Sequence, residues 1–213
     1  MKPSELFNEI IHEIESRKGE AIFMVGIDGV DAAGKTMFAA KLSDELRKRD
    51  HKVIEASMDG FHNPREIRYT KGSDNPEGYY RDSFNINAVK VLLVEPLREG
   101  HLYRTQAFDY KTNLATPFDG VLAEPGSILV FEGVFSLRPE LRDHWDYRIL
   151  LEITPEESLR RGVERDPGEK EEVERKYRVR YLPGQALYKD EAKPHEHAHI
   201  IVDYNDPENP DVL

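Results

Sequence analysis

The chain is 213 residues long, enough for one sizeable domain with a small inserted lobe, and 38% of it is hydrophobic, enough to build a core. Its net charge of −11, from 41 acidic and 30 basic residues, sets the whole molecule against nucleic acid and anionic membrane surfaces. With no cysteine it can have no disulfide, no thiolate nucleophile and no cysteine-based zinc or iron–sulfur site.

The opening segment, MKPSELFNEIIHEIESRKGE, has no apolar centre of the signal-peptide kind, and no run approaches the roughly 20 apolar residues of a membrane span. A cytoplasmic protein with no membrane partner is expected. Leu6, Ile10, Ile11 and Ile14 recur at helical spacing, which predicts an amphipathic helix over residues 4–18, capped by Ser4. Residues 21–27, AIFMVGI, have the composition of a buried parallel strand. The chain then turns through Gly29-Val30-Asp31-Ala32-Ala33-Gly34-Lys35-Thr36, a complete G-x-x-x-x-G-K-[ST] phosphate loop. A helical pattern over 37–49 follows, with Phe38, Leu42 and Leu46 on one face. In such a loop the glycines bend the backbone so that successive N–H groups face phosphate oxygens, and the helix N-terminus adds its positive dipole end. Gly29, Asp31, Ala32, Ala33, Gly34, Lys35 and Thr36 are therefore the expected ATP-binding residues. Lys35 reaches the β- and γ-phosphates, and the Thr36 hydroxyl holds magnesium.

A second strand over 53–58 ends at Asp59, and strand–helix–strand in this order predicts a right-handed βαβ unit in a parallel sheet. Ligands of such sheets lie beyond the carboxyl ends of the strands, which puts Asp59 beside the phosphate loop. Residues 60–84 are polar, aromatic and rich in Gly and Pro, too long for a plain connector, and a substrate-binding segment is expected there. Residues 86–98 read as a helix, 101–110 and 116–122 as short strands of a hairpin lobe, and 127–131 as a third buried strand ending at Glu132. A short helix over 139–144 and a fourth strand over 147–153 come next. The following helix, to about residue 165, has Thr154 as N-cap, Pro155 in first position and acids in its first turn. Charges of both signs crowd 166–180, residues 187–193 are helical in pattern, and 200–202 form a last strand. The expected fold is α/β, a three-layer α/β/α phosphate-loop fold with a mainly parallel sheet. It occupies one domain over 1–213, with a hairpin lobe at about 101–122 and a helical lid at about 160–180.

Phosphoryl transfer needs metal ligands, cations against the developing charge, and a group that positions the acceptor hydroxyl. Glu132, at the tip of the strand in LVFEG, suits a metal or metal-water ligand. Asp59 suits acceptance of the hydroxyl proton, with a second metal ligand as its other role. Arg161 and Arg165, four apart, share a helix face that can close over phosphates, although Glu156, Glu157 and Glu164 equally suit a salt-bridged solvated helix. His195, His197 and His199 have no carboxylate pattern completing a metal site, and Trp145 suits core packing. No NKxD motif marks a guanine-nucleotide switch.

The ordered set GIDGVDAAGKT, MDGFH, SDNPEGYYRDSF, FDYKTN, LVFEGVF and LRRGVERD, closed by an apolar strand, resembles the uridine kinase family over residues 23–202. That family lies within a wider group with phosphoribulokinase and bacterial pantothenate kinase. The resemblance implies that Asp59 is the catalytic base, that Glu132 is the magnesium-side carboxylate, and that Lys35, Arg161 and Arg165 complete the catalytic set. It places Asp74 on sugar hydroxyls, with His62, Arg104, Phe108 and Asn113 as further acceptor contacts. Gly162 stands where the family's RRxxRD pattern has an arginine, His62 where a Tyr is usual, and Phe108 and Asn113 where a Tyr and a His read the base. These departures point away from uridine. The cluster Arg65, Arg68, Lys71 and Arg104 suits either a solvated loop surface or contacts to an acceptor bearing negative charge.

The function implied is ATP- and magnesium-dependent transfer to a hydroxyl of a small-molecule acceptor, a nucleoside first and a sugar, polyol or pantothenate-like alcohol second. A non-catalytic nucleotide-binding regulator is the competing class, and it would need neither Asp59 nor Glu132. No nucleic-acid partner is expected, and homo-oligomerisation is left open.

Overall fold

The computed structural model describes residues 1–117, 119–166 and 168–213. The expected hairpin lobe and lid each include one position, 118 and 167, that lies outside the described residues. Helix α1 (Pro3–Arg17) starts one residue ahead of the expected Ser4 cap. Pro3 takes the first position, where its missing N–H costs nothing, and the Glu5 carboxylate accepts the Lys2 N–H at 3.0 Å. Strand β1 (Phe23–Gly29) is buried along its length, and α2 (Lys35–Arg47) leaves the phosphate loop with Phe38, Leu42 and Leu46 inward. Strand β2 (Val53–Ser57) passes into a 3-10 turn, Met58–Phe61, that carries Asp59.

The long segment that follows is not a plain loop. It holds α3 (Arg65–Arg68) and α4 (Pro76–Asp82), the latter capped by Asn75, whose side chain accepts the Gly78 N–H at 2.7 Å. The next helix comprises α5 (Ile86–Val89), a π turn (Lys90–Val94) and α6 (Glu95–Glu99). Pro96 explains the interruption. Having no N–H, it leaves the Leu92 carbonyl open, and the Arg104 N–H fills it at 2.8 Å. The hairpin is narrower than expected, β3 (Phe108–Asp109) against β4 (Leu114–Ala115), with a lone bridge between Tyr103 and Val121. Strand β5 (Ile128–Glu132) follows, and the helix expected over 139–144 is a 3-10 turn, Arg142–His144. After β6 (Tyr147–Glu152), α7 (Pro155–Arg165) starts at Thr154, whose hydroxyl accepts the Glu157 N–H at 3.2 Å. The chain continues through α8 (Lys170–Lys176), a π turn (Tyr177–Tyr181) and α9 (Leu182–Ala192). It closes with α10 (Pro194–His197), β7 (Ile200–Asp203) and β8 (Asp211–Val212).

Six strands form one sheet in the order β2-β5-β1-β6-β7-β8, parallel except for β8. The β1–α2–β2 unit therefore skips a position, and Glu132 rather than Asp59 ends the strand next to the phosphate loop. Alternation along the strands divides the core. Phe23, Val25, Ile27, Ile128 and Val130 cluster with the apolar faces of α1 and α2. Met24, Leu129 and Phe131 cluster with residues of α4 to α6 and with Tyr188 of α9. Helices on both faces make the three layers. Gly26 is dictated by the second cluster, because a Cβ there would lie 2.6 Å from the Trp145 ring. That ring stacks on Phe131 and donates its N–H to the Ser136 carbonyl at 2.8 Å.

Candidate active site

The phosphate loop joins the end of β1 to the start of α2. Gly34 caps the helix at φ +93°, a left-handed conformation open to glycine, and a Cβ there would also press on the Tyr204 ring at 3.2 Å. The Ala33 N–H closes a turn onto the Val30 carbonyl at 3.2 Å. Lys35, nearly buried, donates to the same carbonyl at 2.8 Å, so its ammonium is folded back into the loop. The Thr36 hydroxyl donates to the Glu132 carboxylate at 3.2 Å, which links the head of α2 to the tip of β5. Two hard oxygen donors side by side fit magnesium, an ion that keeps several waters and takes its other ligands from phosphates. No group of three or more acidic or imidazole side chains that could hold a metal ion occurs among the described residues.

In front of this loop lies a cleft of about 510 Å³. Asp31, Lys35, Thr36 and Glu132 line one part of it, and Asp59 and His62 follow from the turn after β2. Arg65 and Arg68 of α3 and the hairpin tip, Tyr110, Lys111 and Asn113, line the far part, while Arg165, Tyr177 and Tyr181 border it from the segment beyond β6. The Asp59 N–H donates to the Ser57 hydroxyl at 3.2 Å, which holds the turn and leaves the carboxylate exposed. His62 is packed between the rings of Phe84 and Tyr110, at 4.5 and 4.8 Å between centroids, with Nδ1 on the Asp59 carbonyl at 3.0 Å. Burial pushes its pKa below the ordinary 6.5, so the ring is neutral at pH 7.

Asp31 joins three elements. Its carboxylate accepts the buried Tyr79 hydroxyl at 2.9 Å and pairs with Arg165 at 3.7 Å, and its carbonyl accepts the Ser158 hydroxyl at 2.7 Å. Arg161 turns to the other side of the loop. It donates to the carbonyls of Ala33, Tyr204 and Asn205 at 3.3, 3.0 and 2.8 Å, and pairs with Glu157 at 2.6 Å. Hydrogen bonds from Arg160 and then Arg161 lower the Glu157 carboxyl to about 2. With Ala32, Gly34, Tyr204 and Pro207, Arg161 lines a second hollow of about 370 Å³ that also reaches Lys35, Thr36 and Arg165. Gly29 ends β1 behind the loop, beside the fully buried Asp28. Burial raises the Asp28 pKa, and the Tyr188 hydroxyl donates to its carboxylate.

The model described as "Phosphoribulokinase / Uridine kinase family" matches residues 24–176, phosphate loop and cleft included. The chain belongs to that family. It is 26% identical to the uridine kinase of Geobacillus kaustophilus over 152 residues, 70% of this chain and 69% of that one. It is 28% identical to inorganic pyrophosphatase TTM2 of Arabidopsis thaliana over 138 residues, and there 64% of the chain spans only 19% of the relative's length. The solved structure of a possible uridine kinase from Bacillus stearothermophilus superposes with a TM-score of 0.76 at 23% identity, over 94% of this chain and 99% of that one. The chain thus has the phosphate loop and the fold of that family. No helix among the described residues is long and apolar enough to cross a membrane.

Three of the expected acceptor contacts are elsewhere. Asp74 is held at the surface by Arg175, at 2.8 and 3.1 Å, because the fold brings α8 against the turn before α4. Arg104 is turned to Thr116 and the Pro117 carbonyl at 2.8 to 2.9 Å, tying the hairpin base. Phe108 is buried in that hairpin and is not part of the cleft wall. Lys71, from the expected basic cluster, pairs with Glu77 and Asp82. Only His62 and Asn113 of the five expected acceptor residues reach the cleft. Asn113 is already engaged, accepting the Arg65 N–H at 2.8 Å. Gly162 has a packing reason: a Cβ there would fall 2.1 Å from the Tyr177 ring, so an arginine at this point of the pattern is sterically barred. Tyr79, Lys111 and Tyr110 escaped sequence reasoning, since their only signal was aromatic and basic enrichment in loop-like segments.

Proposed function

We propose that this kinase transfers the γ-phosphoryl group of ATP to a hydroxyl of a small molecule held beside Asp59. What supports the reading is that Lys35, the Thr36–Glu132 pair and Asp59 open onto one cleft, so that phosphate cradle, metal donors and base are contiguous. In this reading the loop N–H groups take the β- and γ-phosphates, and Lys35 exchanges the Val30 carbonyl for a phosphate oxygen. Arg165 exchanges Asp31 for the transferring group. Asp59 accepts the acceptor's hydroxyl proton as the new O–P bond forms and the bond from γ-phosphorus to the ADP oxygen breaks. Magnesium held through Thr36 and Glu132 would supply charge neutralisation across the phosphates. The hollow beside Arg161, Tyr204 and Pro207 suits the adenosine end of the donor.

For the acceptor, a nucleoside follows from family resemblance, its base set against the rings of His62 and Tyr110. A hydroxylated molecule without a base is the second reading. It is favoured by the engagement of Asn113 and the burial of Phe108, which leave neither position free to read a base edge.

The test is ADP release with a panel of alcohols. Lys35→Ala is expected to lower turnover by about 10²–10³ while leaving the fold intact, because one preorganised cation is lost from the transferring charge. Turnover within about threefold of the parent, far short of that loss, would sink the kinase reading of this loop.

A further inference from the structure

The structure assigns an oxyanion subsite to the far part of the cleft: we propose that Arg65 and Arg68 bind a carboxylate or phosphate carried by the acceptor itself. This rests on the kinase reading, and deepens it by naming the acceptor as an anionic alcohol.

Positive charge is gathered here around one ring, and Glu66, the neighbouring carboxylate, accepts from the Asn113 side chain at 3.5 Å and pairs with none of the arginines. The guanidinium carbons of Arg65, Arg68 and Arg180 lie 5.8, 5.5 and 5.0 Å from the centroid of the single Tyr69 ring. Among the described residues none of the three forms an ion pair. Elsewhere in the chain the pattern is the opposite: Arg160, Arg175 and Arg178 each hold a glutamate. In a chain with 41 acidic and 30 basic residues, unpaired arginines are the exception, and like charges around one ring repel unless an anion joins them.

Arg180 is spoken for by neutral groups, the carbonyls of Gly72 and Ser73 at 3.3 and 2.8 Å. Arg65 and Arg68 have no such occupation of their guanidinium groups, and the Arg68 Nε is buried with no hydrogen-bond partner. A guanidinium whose buried Nε lacks a partner matches a carboxylate or phosphate edge.

Placement and rigidity agree with a binding role. Both arginines and Lys111 line the cleft that holds Asp59. Arg65, Glu66 and Tyr69 also line an adjoining hollow with Lys176 and Arg180 that contains no phosphate-loop residue, so Arg65 stands at an end away from the donor. The hairpin tip fixes α3, since the Asn113 side chain accepts the Arg65 N–H at 2.8 Å. An acceptor whose anion is seated on α3 would present a hydroxyl toward Asp59.

The experiment has two arms. In the first, ADP release is measured with matched pairs: glycerol against glycerate and glycerol 3-phosphate, ribose against ribose 5-phosphate, pantothenol against pantothenate. The charged members are expected to be preferred by at least tenfold in kcat/KM. Arg68→Ala and Arg65→Ala should bring the charged-to-neutral ratio of kcat/KM toward one, and Arg68→Lys should restore part of it. Carboxylate and phosphate members separate the two anion types.

The second arm is independent of turnover. The magnesium complex of a non-hydrolysable ATP analogue fills the donor site, and inorganic phosphate or malonate is titrated calorimetrically. Loss of both arginines is expected to weaken binding about 10- to 100-fold, as for charge-assisted hydrogen bonds. Equal anion binding by the parent and the Arg65→Ala/Arg68→Ala double variant, or a preference for neutral acceptors, overturns the subsite and leaves the kinase reading standing. A Lys35→Ala variant with unaltered ATP binding and turnover overturns the kinase reading instead.

Discussion

Asp31 has two calls on its carboxylate, the Tyr79 hydroxyl at 2.9 Å and Arg165 at 3.7 Å, and only the first is tight. The loose partner is the one that moves in the proposed transfer. Asp59, by contrast, is held only through its backbone, which leaves its carboxylate available. Asp59→Asn is expected to keep ATP affinity and lower turnover by about 10²–10⁴, the usual contribution of a positioned acid–base group. Collapse of ATP–magnesium binding in that variant would show a metal ligand in place of a base. His62 yields a prediction of pH dependence. Its folded pKa lies below 6.5 through burial, so below about pH 6.5 the unfolded chain takes up a proton that the folded chain resists. The stability this site contributes is complete above 6.5 and falls as pH drops through that value. His62→Phe should flatten this part of the fall between pH 7 and 5 in thermal melts, and an unchanged slope would contradict it.

At the scale of elements, the two π turns each precede a proline by two residues, Pro96 after Lys90–Val94 and Pro183 after Tyr177–Tyr181. A missing N–H shifts the helical ladder instead of ending the helix. The second turn matters more, because it carries Tyr177 onto α7 at Gly162 and Tyr181 to the cleft wall. Gly162→Ala is expected to destabilise the protein by about 1–3 kcal/mol, as overpacking against a buried ring does. The measurement is denaturant unfolding, and a neutral or stabilising result would mean that Tyr177 yields without cost. Helix propensity alone predicts the reverse sign, since Gly to Ala in a helix interior normally gains about 1 kcal/mol.

For the whole molecule, binding at the phosphate loop couples to stability, because the loop ties β1, α2 and the tip of β5 together. ATP with magnesium at about a hundred times its Kd is expected to add about 2.7 kcal/mol of stability, visible as a raised Tm, with Lys35→Ala losing most of the shift. An ATP-insensitive Tm in the parent protein would count against a donor site there. The phosphate loop, Asp59 just past β2, Glu132 at the end of β5 and the Thr154 cap were all legible in the chain, since each is a local pattern of backbone chemistry or hydrophobic period. The α/β class followed from their order. What the chain could not show is which strand lies beside β1, since β5 enters from 99 residues beyond Gly29 and pairs by register, not by sequence proximity. Nor could it separate Asp74 and Arg104 from Arg65 and Arg68, all polar residues in similar loop-like stretches. Charge and spacing name the candidates, but whether a side chain meets a surface partner, as Asp74 meets Arg175, or faces the cleft unpaired, as Arg68 does, depends on neighbours brought from distant parts of the chain.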